Sequence, residues 1–169
     1  MPPASPPHRP DRPKARAARA GGETFFKFVL LVNLVARPFA REHEREHGIR
    51  LTEWRVLRVL SAAPRSATAG EIGDALGMDK MAVSRAVRAL EARGRLRRQP
   101  SPEDRRRIAL EITRAGRDLV AAIEPSGRAR EAALVSVLDE EERATLDALL
   151  DRLLAQARAL PEGSTDQNP

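Results

Sequence analysis

Residues 68–94 read TAGEIGDALGMDKMAVSRAVRALEARG and predict two helices joined by a tight turn. The first begins with Thr68 and Glu71, a capping box in which each side chain accepts a hydrogen bond from the other residue's backbone N–H. Gly77 permits the sharp turn that follows, because glycine adopts positive φ at little steric cost. The second helix runs from about residue 79 to 93. This succession is typical of a helix-turn-helix.

The second of these helices has a basic outer face. Helical spacing places Val83, Val87 and Leu90 on the side that packs inward. The opposite side carries the candidate DNA-binding residues Met81, Ser84, Arg85 and Arg88, with Lys80 at its flank. Arginine can hold a guanine through two hydrogen bonds, and serine or lysine can hold a phosphate or a base edge. We therefore expect a recognition helix, and the alternative is an ordinary solvated charged face.

After this helix the hydrophobic period changes from 3.6 to 2. Within residues 108–112, Ile108, Leu110 and Ile112 alternate with Ala109 and Glu111. Such alternation indicates a strand. Residues 95–99 are expected to form the other arm of a hairpin, with residues 100–106 as its loop.

The hairpin loop is expected to act as a basic wing. Its tip carries the candidate DNA-binding residues Arg105, Arg106 and Arg107. A narrow minor groove concentrates negative potential and attracts inserted arginine. Asp104 is expected to structure the wing by orienting a neighbouring arginine through a bidentate pair. The alternative is an unstructured basic loop.

Amphipathic helices flank this unit on both sides. We expect a first helix over residues 24–47, kinked at Pro38, and a second over residues 52–62 that is capped by Thr52. Two more are expected at the C-terminal end, over residues 113–136 and from residue 139. The outer helices have broader apolar faces than a single winged helix needs for its core. They are therefore expected to bury one another across a two-fold axis, and the alternative is a monomeric helical domain.

The predicted fold is mainly α with a small β-hairpin, a winged helix-turn-helix with N- and C-terminal dimerisation helices. The predicted divisions are a disordered basic tail (1–22), a dimerisation helix (23–48), the winged helix-turn-helix domain (49–113), dimerisation helices (114–160) and a second disordered tail (161–169). Six prolines deny the first tail regular structure, so it is either a passive tail or a basic arm.

Charge is concentrated where the helix-turn-helix is predicted. The chain has 169 residues and a net charge of +6. Residues 1–20 carry +4 and residues 78–107 carry +6, which leaves −4 on the remainder. A basic patch on an acidic body is typical of a protein that binds a polyanion. The sequence has no cysteine, so disulfides and thiolate metal sites are excluded. With no secretory or membrane-spanning pattern, a cytoplasmic location is expected.

The run GMDKMAVSRAVRALEARG at residues 77–94 resembles the recognition helix of MarR-type regulators (multiple-antibiotic-resistance regulators). The run PEDRRR at residues 102–107, followed by LEITRAG at residues 110–116, is similar to that family's wing signature. The resemblance covers about residues 25–158. It implies an obligate homodimer whose recognition helices enter successive major grooves of a pseudo-palindromic operator, with Arg106 as the minor-groove arginine and Asp104 as the wing-stabilising acid.

The sequence departs from the family pattern at two positions. Ile112 replaces the usual leucine, and Arg95 stands where an apolar residue usually follows the glycine. The second departure places a charged side chain where the first strand is expected to pack an apolar one.

The resemblance also implies a small effector, often aromatic or anionic, bound where the dimer scaffold meets the DNA-binding lobe. The candidate residues for this effector pocket are His43, His47, Trp54 and Arg58, although Trp54 is equally explained as part of the core. Such a ligand would act by favouring one spacing of the two recognition helices.

Residues 43–47 read HEREH, a literal H-E-x-x-H pattern. On a helix this pattern is typical of zinc peptidases. Three protein ligands are needed, however, and the only other histidine is His8 in the predicted tail. We therefore expect no catalytic residues, no enzyme activity and no cofactor. A regulatory metal site formed by His43, His47 and a glutamate from another helix stays open.

Two functional hypotheses follow from these observations. The first is a sequence-specific transcriptional regulator of double-stranded DNA, a ligand-responsive repressor that acts as a homodimer. The second is a non-specific architectural DNA-binding protein that uses the basic tail and wing without reading bases.

Overall fold

The computed structural model describes residues 21–63, 66–101 and 106–160. Within these ranges the elements are α1 (Gly21–His47), α2 (Leu51–Ala62), α3 (Ala69–Leu76), α4 (Lys80–Ala92), β1 (Leu96–Pro100), β2 (Ile108–Ile112), α5 (Arg114–Val135) and α6 (Glu140–Ala159). The prediction of a mainly α winged helix with one small hairpin is confirmed.

The helix-turn-helix forms through its predicted caps. The Glu71 backbone N–H donates to the Thr68 hydroxyl at 3.3 Å, and the Thr68 N–H donates to the Glu71 carboxylate at 2.8 Å. Gly77 then adopts φ +59°, in the left-handed region. The Asp79 carboxylate accepts the Ala82 N–H at 2.8 Å and starts α4. Capping of this kind satisfies backbone donors that a helix start leaves free.

Two helix starts differ from the predictions. The prediction that Thr52 caps α2 is wrong, because the helix begins at Leu51 and Arg50 is its N-cap residue. The Glu53 carboxylate accepts the Arg50 N–H at 3.3 Å and supplies the cap. α1 begins at Gly21, so it takes in the last two residues of the predicted N-terminal tail. The rest of that tail and the predicted C-terminal tail lie outside the described residues.

The hairpin pairs antiparallel, from Leu96 opposite Ile112 to Pro100 opposite Ile108. Leu110 and Ile112 are buried, as the alternation predicts, but Ala109 is also buried and Ile108 is half exposed. Ala67 extends the sheet by an isolated bridge to Leu110, with hydrogen bonds of 3.1 and 2.8 Å in the two directions. This bridge ties the segment before α3 to the hairpin.

The core lies between the helix-turn-helix, the hairpin and the first half of α5. Its fully buried side chains are aliphatic: Ile49, Val56, Leu57, Leu60, Ile72, Val83, Val87, Leu90, Leu96, Leu110 and Ile123. Trp54 joins this cluster from α2 and Phe39 joins it from α1. Burial of this set fixes the rotation of α4, since its inner positions have only one side on which to pack.

A tight joint connects the hairpin to α5. The Thr113 hydroxyl donates to the Gly94 carbonyl at 2.7 Å and accepts the Gly116 N–H at 3.2 Å. The Thr113 N–H donates to the Arg95 carbonyl at 3.2 Å. A Cβ at position 116 would overlap that same carbonyl oxygen. These contacts explain why the LEITRAG run has a threonine at position 113 and a glycine at position 116.

The ends of the chain leave large apolar side chains in solvent. α1 exposes Phe25, Phe26, Val29, Leu30, Leu31, Val32 and Leu34, and α6 exposes Leu146, Leu149, Leu153 and Leu154. No residue of α6 is buried. None of the described helices is both long enough and apolar enough to cross a membrane.

Candidate nucleic-acid interface

The outer face of α4 carries the residues that the sequence singled out. Val83, Val87 and Leu90 are buried, which turns the opposite side of the helix to solvent. On that side Lys80, Met81, Arg85 and Arg88 are exposed and Ser84 is half buried. The Arg88 guanidinium donates to the Ser84 hydroxyl at 3.2 Å. This bond between neighbouring turns favours an Arg88 side chain that lies along the helix.

Some basic residues of α4 and the hairpin form ion pairs with the protein, and others do not. Arg93 pairs with Glu53, Arg97 with Glu111, Arg98 with Glu91 and Arg107 with Glu71, at 2.7–3.1 Å. By contrast, the described residues offer no carboxylate within 4 Å of Lys80, Arg85 or Arg88. Their positive charge is therefore uncompensated by the protein at close range. Lys80 also lies in the first turn of α4, where the helix dipole favours anions.

The wing is described only in part. Asp104 and Arg105 lie outside the described residues, while Arg106 and Arg107 are both exposed. The Arg107 guanidinium does not reach away from the protein. It donates to Glu71 at 3.1 Å and to the Thr68 hydroxyl at 3.4 Å, and so binds the capping box of α3. Arg107 thereby anchors the base of the wing to the helix-turn-helix.

Sequence reasoning missed the pair between the buried Glu53 and the half-exposed Arg93. The Glu53 side chain is 4% exposed and accepts from Arg93 at 2.8 Å. Because Glu53 also accepts the Arg50 N–H, one carboxylate fixes both the start of α2 and the end of α4. The signal was available in principle, since Glu53 falls at the third position of α2, where acids often cap.

Arg95 is accommodated at its unusual position by a carbonyl at the end of α1. Its guanidinium donates to the His47 carbonyl at 2.8 Å, and the remaining Nη1 is buried without a partner in the described residues. Burial lowers the pKa of Arg95 from its ordinary value. A basic group at a helix C-terminus complements the free carbonyls there. The contact links α1 to the first residues of the hairpin.

The four residues of the predicted effector pocket lie along the junction of α1, α2 and α5. The Phe39 ring packs between His43 and Trp54, at centroid distances of 4.2 and 6.0 Å. Trp54 belongs to the core cluster, as the alternative interpretation has it. The Arg58 guanidinium pairs with Glu124 of α5 at 2.8 Å, so its charge is already compensated.

The last turn of α1 groups potential metal ligands. One nitrogen each of His43 and His47 and one carboxylate oxygen of Glu46 lie within 4.8 Å of one another. Among the described residues, the carboxylate of this cluster comes from α1 itself, whereas the sequence hypothesis placed it on another helix. Glu44, which would be the general base of a zinc peptidase, instead pairs with Arg50 at 3.8 Å.

Comparison with known proteins gives consistent matches. A sequence model of the MarR family matches residues 47–107. A putative transcriptional regulatory protein for the hcr operon of Thauera aromatica is 30% identical over 125 residues, which cover 74% of this chain and 75% of that protein.

Solved structures match over most of the chain. The crystal structure of a MarR/EmrR family regulator from Acinetobacter sp. ADP1 has a TM-score of 0.75 and 29% identity, and the match covers 82% of this chain and 97% of that one. The S. aureus MepR–DNA complex has a TM-score of 0.71 and 25% identity, with coverage of 79% and 95%.

Proposed function

Because this chain belongs to the MarR family of transcriptional regulators, we propose that it binds a specific sequence of double-stranded DNA as a homodimer and acts as a ligand-responsive repressor of transcription. The observation that carries this proposal is the outer face of α4, where Lys80, Arg85 and Arg88 have no acidic partner among the described residues. The crystallised complex of MepR with DNA supports it, since that protein shares the fold.

In the proposed complex, α4 lies in the major groove. Arg85 and Arg88 are placed to donate to base edges, and a bidentate arginine–guanine contact contributes about 1–3 kcal/mol of discrimination. Ser84 restricts Arg88 through their hydrogen bond, which reduces the entropy lost when Arg88 binds. Lys80 and Met81 begin the helix, where a phosphate and the apolar edge of a thymine are their natural partners.

The wing is proposed to enter the adjacent minor groove. Arg106 is the inserted side chain, with Arg105 beside it and Asp104 orienting the pair. Arg107 is proposed to act mainly from its position against α3, because its contact with Glu71 holds the wing at a fixed angle to the recognition helix. Phosphate and minor-groove contacts of this kind set the register of the protein on the duplex.

The homodimer is proposed to form through α1 and α6. Their exposed leucines, valines and phenylalanines form apolar surface of the kind that marks an interaction site. A second copy would bury it by two-fold symmetry and set the two recognition helices one DNA turn apart, about 34 Å. That spacing is what makes a pseudo-palindrome the expected operator.

The effector is proposed to be a small aromatic or anionic molecule at the junction marked by His43, His47, Trp54 and Arg58. For an anion to use Arg58, it would have to compete with Glu124. The His47 carbonyl gives this junction a direct link to Arg95 at the start of the hairpin. A ligand there can change DNA affinity only if it prefers one arrangement of that link to the other.

Footprinting on the DNA upstream of the protein's own gene tests the proposal. We expect one protected pseudo-palindrome, and a logarithmic salt dependence with a slope near −0.9 per phosphate contacted. Arg85→Glu and Arg106→Glu should weaken binding sharply, whereas Arg128→Glu, on the scaffold helix α5, should not. Uniform coverage of the DNA, or equal affinity for a scrambled sequence, would favour the architectural alternative.

A further inference from the structure

The end of α1 holds a cluster that DNA recognition does not use. Glu46 and His47 follow His43 by three and four residues, a spacing that puts each of them on the same side of the helix as His43. A nitrogen of each imidazole and an oxygen of the carboxylate lie within 4.8 Å of one another. Imidazole nitrogens with one carboxylate oxygen are a donor set that suits divalent first-row transition metals.

The hydrogen bonds of Ser126 define the protonation of His43. The Ser126 hydroxyl donates its one hydrogen to the Ile123 carbonyl at 2.8 Å. Its contact with Nε2 of His43, at 2.9 Å, must therefore have the imidazole as donor. Nε2 carries the hydrogen in this arrangement, and Nδ1 keeps a free lone pair.

Nδ1 of His43 has no such partner among the described residues. The residue is 3% exposed, and Nδ1 is buried with no hydrogen-bond partner in the described part of the chain. A buried acceptor without a donor is unfavourable, but a neutral nitrogen whose partner nitrogen is hydrogen-bonded is what a metal ligand requires.

We propose that His43, Glu46 and His47 bind one divalent transition-metal ion, with Zn²⁺ as the best fit. Three protein ligands leave a fourth tetrahedral position for water or an anion. Ser126 acts on the ion through His43, since it fixes the orientation and tautomer of that ring. Because the His47 carbonyl holds Arg95, the ion would also join the last turn of α1 to the hairpin.

Small movements of exposed side chains complete the site. Ligand atoms around tetrahedral zinc are about 3.4 Å apart, given bonds of about 2.0–2.2 Å. Glu46 and His47 must therefore close in on His43 by an ångström or so, and neither is buried. Glu46 must also leave Arg45, with which it pairs at 3.0 Å. That exposed pair contributes little, so its loss is no barrier to binding.

Calorimetric titration with ZnCl₂ tests the proposal on the full-length, untagged chain after chelator treatment. We expect one ion per chain and, with Co²⁺ as the probe, visible absorption bands of tetrahedral coordination. His47→Ala and Glu46→Gln should weaken binding at least tenfold, and Ser126→Ala by about 10–100-fold. Circular dichroism of each metal-free variant establishes that it folds.

Two matched controls make the outcome decisive. Glu44→Gln removes a carboxylate from the same helical turn but outside the cluster, and His8→Ala removes the remaining histidine; both should bind as the wild type does. Absence of saturable binding, unchanged affinity in His47→Ala, or loss of binding in His8→Ala would each overturn the site. No DNA is present in the experiment, so its result is independent of the proposed function.

Discussion

Arg95 occupies a position where the family pattern has an apolar residue, and the structure explains how the arginine fits. Its guanidinium reaches the His47 carbonyl, a free acceptor at the end of α1, while Leu96 beside it takes the buried place in the strand. A charged group can replace an apolar one at such a site when a helix end supplies its partner. Arg95 thus gives up the local packing of an apolar side chain and gains a contact between the hairpin and the end of α1.

Gly116 is the residue whose replacement has the most predictable cost. A Cβ at this position would overlap the Arg95 carbonyl oxygen, which is held by the Thr113 N–H and belongs to the backbone. We expect Gly116→Ala to lower the free energy of unfolding by about 1–3 kcal/mol, in the range of overpacked cores. Urea unfolding followed by circular dichroism measures this change.

Gly127→Ala is the matched control, because it lies in the same helix. A Cβ there would meet only the Phe39 ring, at an ordinary contact distance of 3.6 Å. Helix propensity should then make the variant more stable by about 0.5–1 kcal/mol. If both alanine variants gained stability, that result would contradict the close approach between Gly116 and the Arg95 carbonyl.

At the scale of elements, capping boxes define where helices start. The capping box of α3 also forms an ion pair, because its Glu71 carboxylate contacts Arg107. The pKa of Glu71 is lowered, first by the Thr68 backbone N–H, then by the Thr68 hydroxyl and by Arg107. The ionised carboxylate is therefore favoured by folding. Its contribution to stability is present above the ordinary pKa near 4.5 and is lost as the pH falls through the lowered folded value.

Glu71→Gln should remove this pH dependence in the acid range. We expect the stability difference between wild type and variant to be largest above about pH 5 and to shrink steadily below it. Urea unfolding at several pH values from 3 to 7 gives the comparison. Glu131→Gln, an exposed position on α5, should follow the wild-type curve, and a Glu71→Gln curve parallel to wild type would refute the argument.

The elements were predictable because their signals are local. Thr68 with Glu71, Gly77 and the 3–4 spacing of Val83, Val87 and Leu90 each act within a few residues, so periodicity and caps located α3 and α4. The start of α2 was missed because Thr52 resembles a cap, whereas the capping group is the carboxylate of Glu53.

What the sequence could not provide is contact between distant segments. The Ala67 bridge to Leu110, the pair between Glu53 and Arg93, and the bond from Arg107 to Glu71 join residues 36–43 positions apart. No period reveals such pairs. The candidate DNA-binding residues were therefore identified as a basic set, and only the structure separates those with ionic partners from those without.

For the molecule as a whole, the apolar side chains of α1 and α6 are unaccounted for within one chain. Phe25 is 71% exposed, and the groove between the two helices is lined by Phe28, Leu146, Leu149 and Leu153. Such a surface at both ends of the chain, on helices that contribute little to the core, fits an interface between copies. The predicted operator spacing depends on that interface, since one chain carries one recognition helix.

The double substitution Leu149→Glu and Leu153→Glu should convert the proposed dimer to a monomer. Both leucines are about half exposed, so a partner that buries the rest of each contributes about 0.8–1.5 kcal/mol, and two-fold symmetry places every substitution in the interface twice. The loss is then at least about 3 kcal/mol, or more than a 100-fold weaker dimer, before the cost of burying the new carboxylates. Sedimentation equilibrium should give the mass of one chain for this variant and the mass of two chains for the wild type. Ala115→Glu, an exposed position at the start of α5, should keep the dimer mass. A wild type that sediments as one chain at all concentrations would contradict both the interface and the operator geometry.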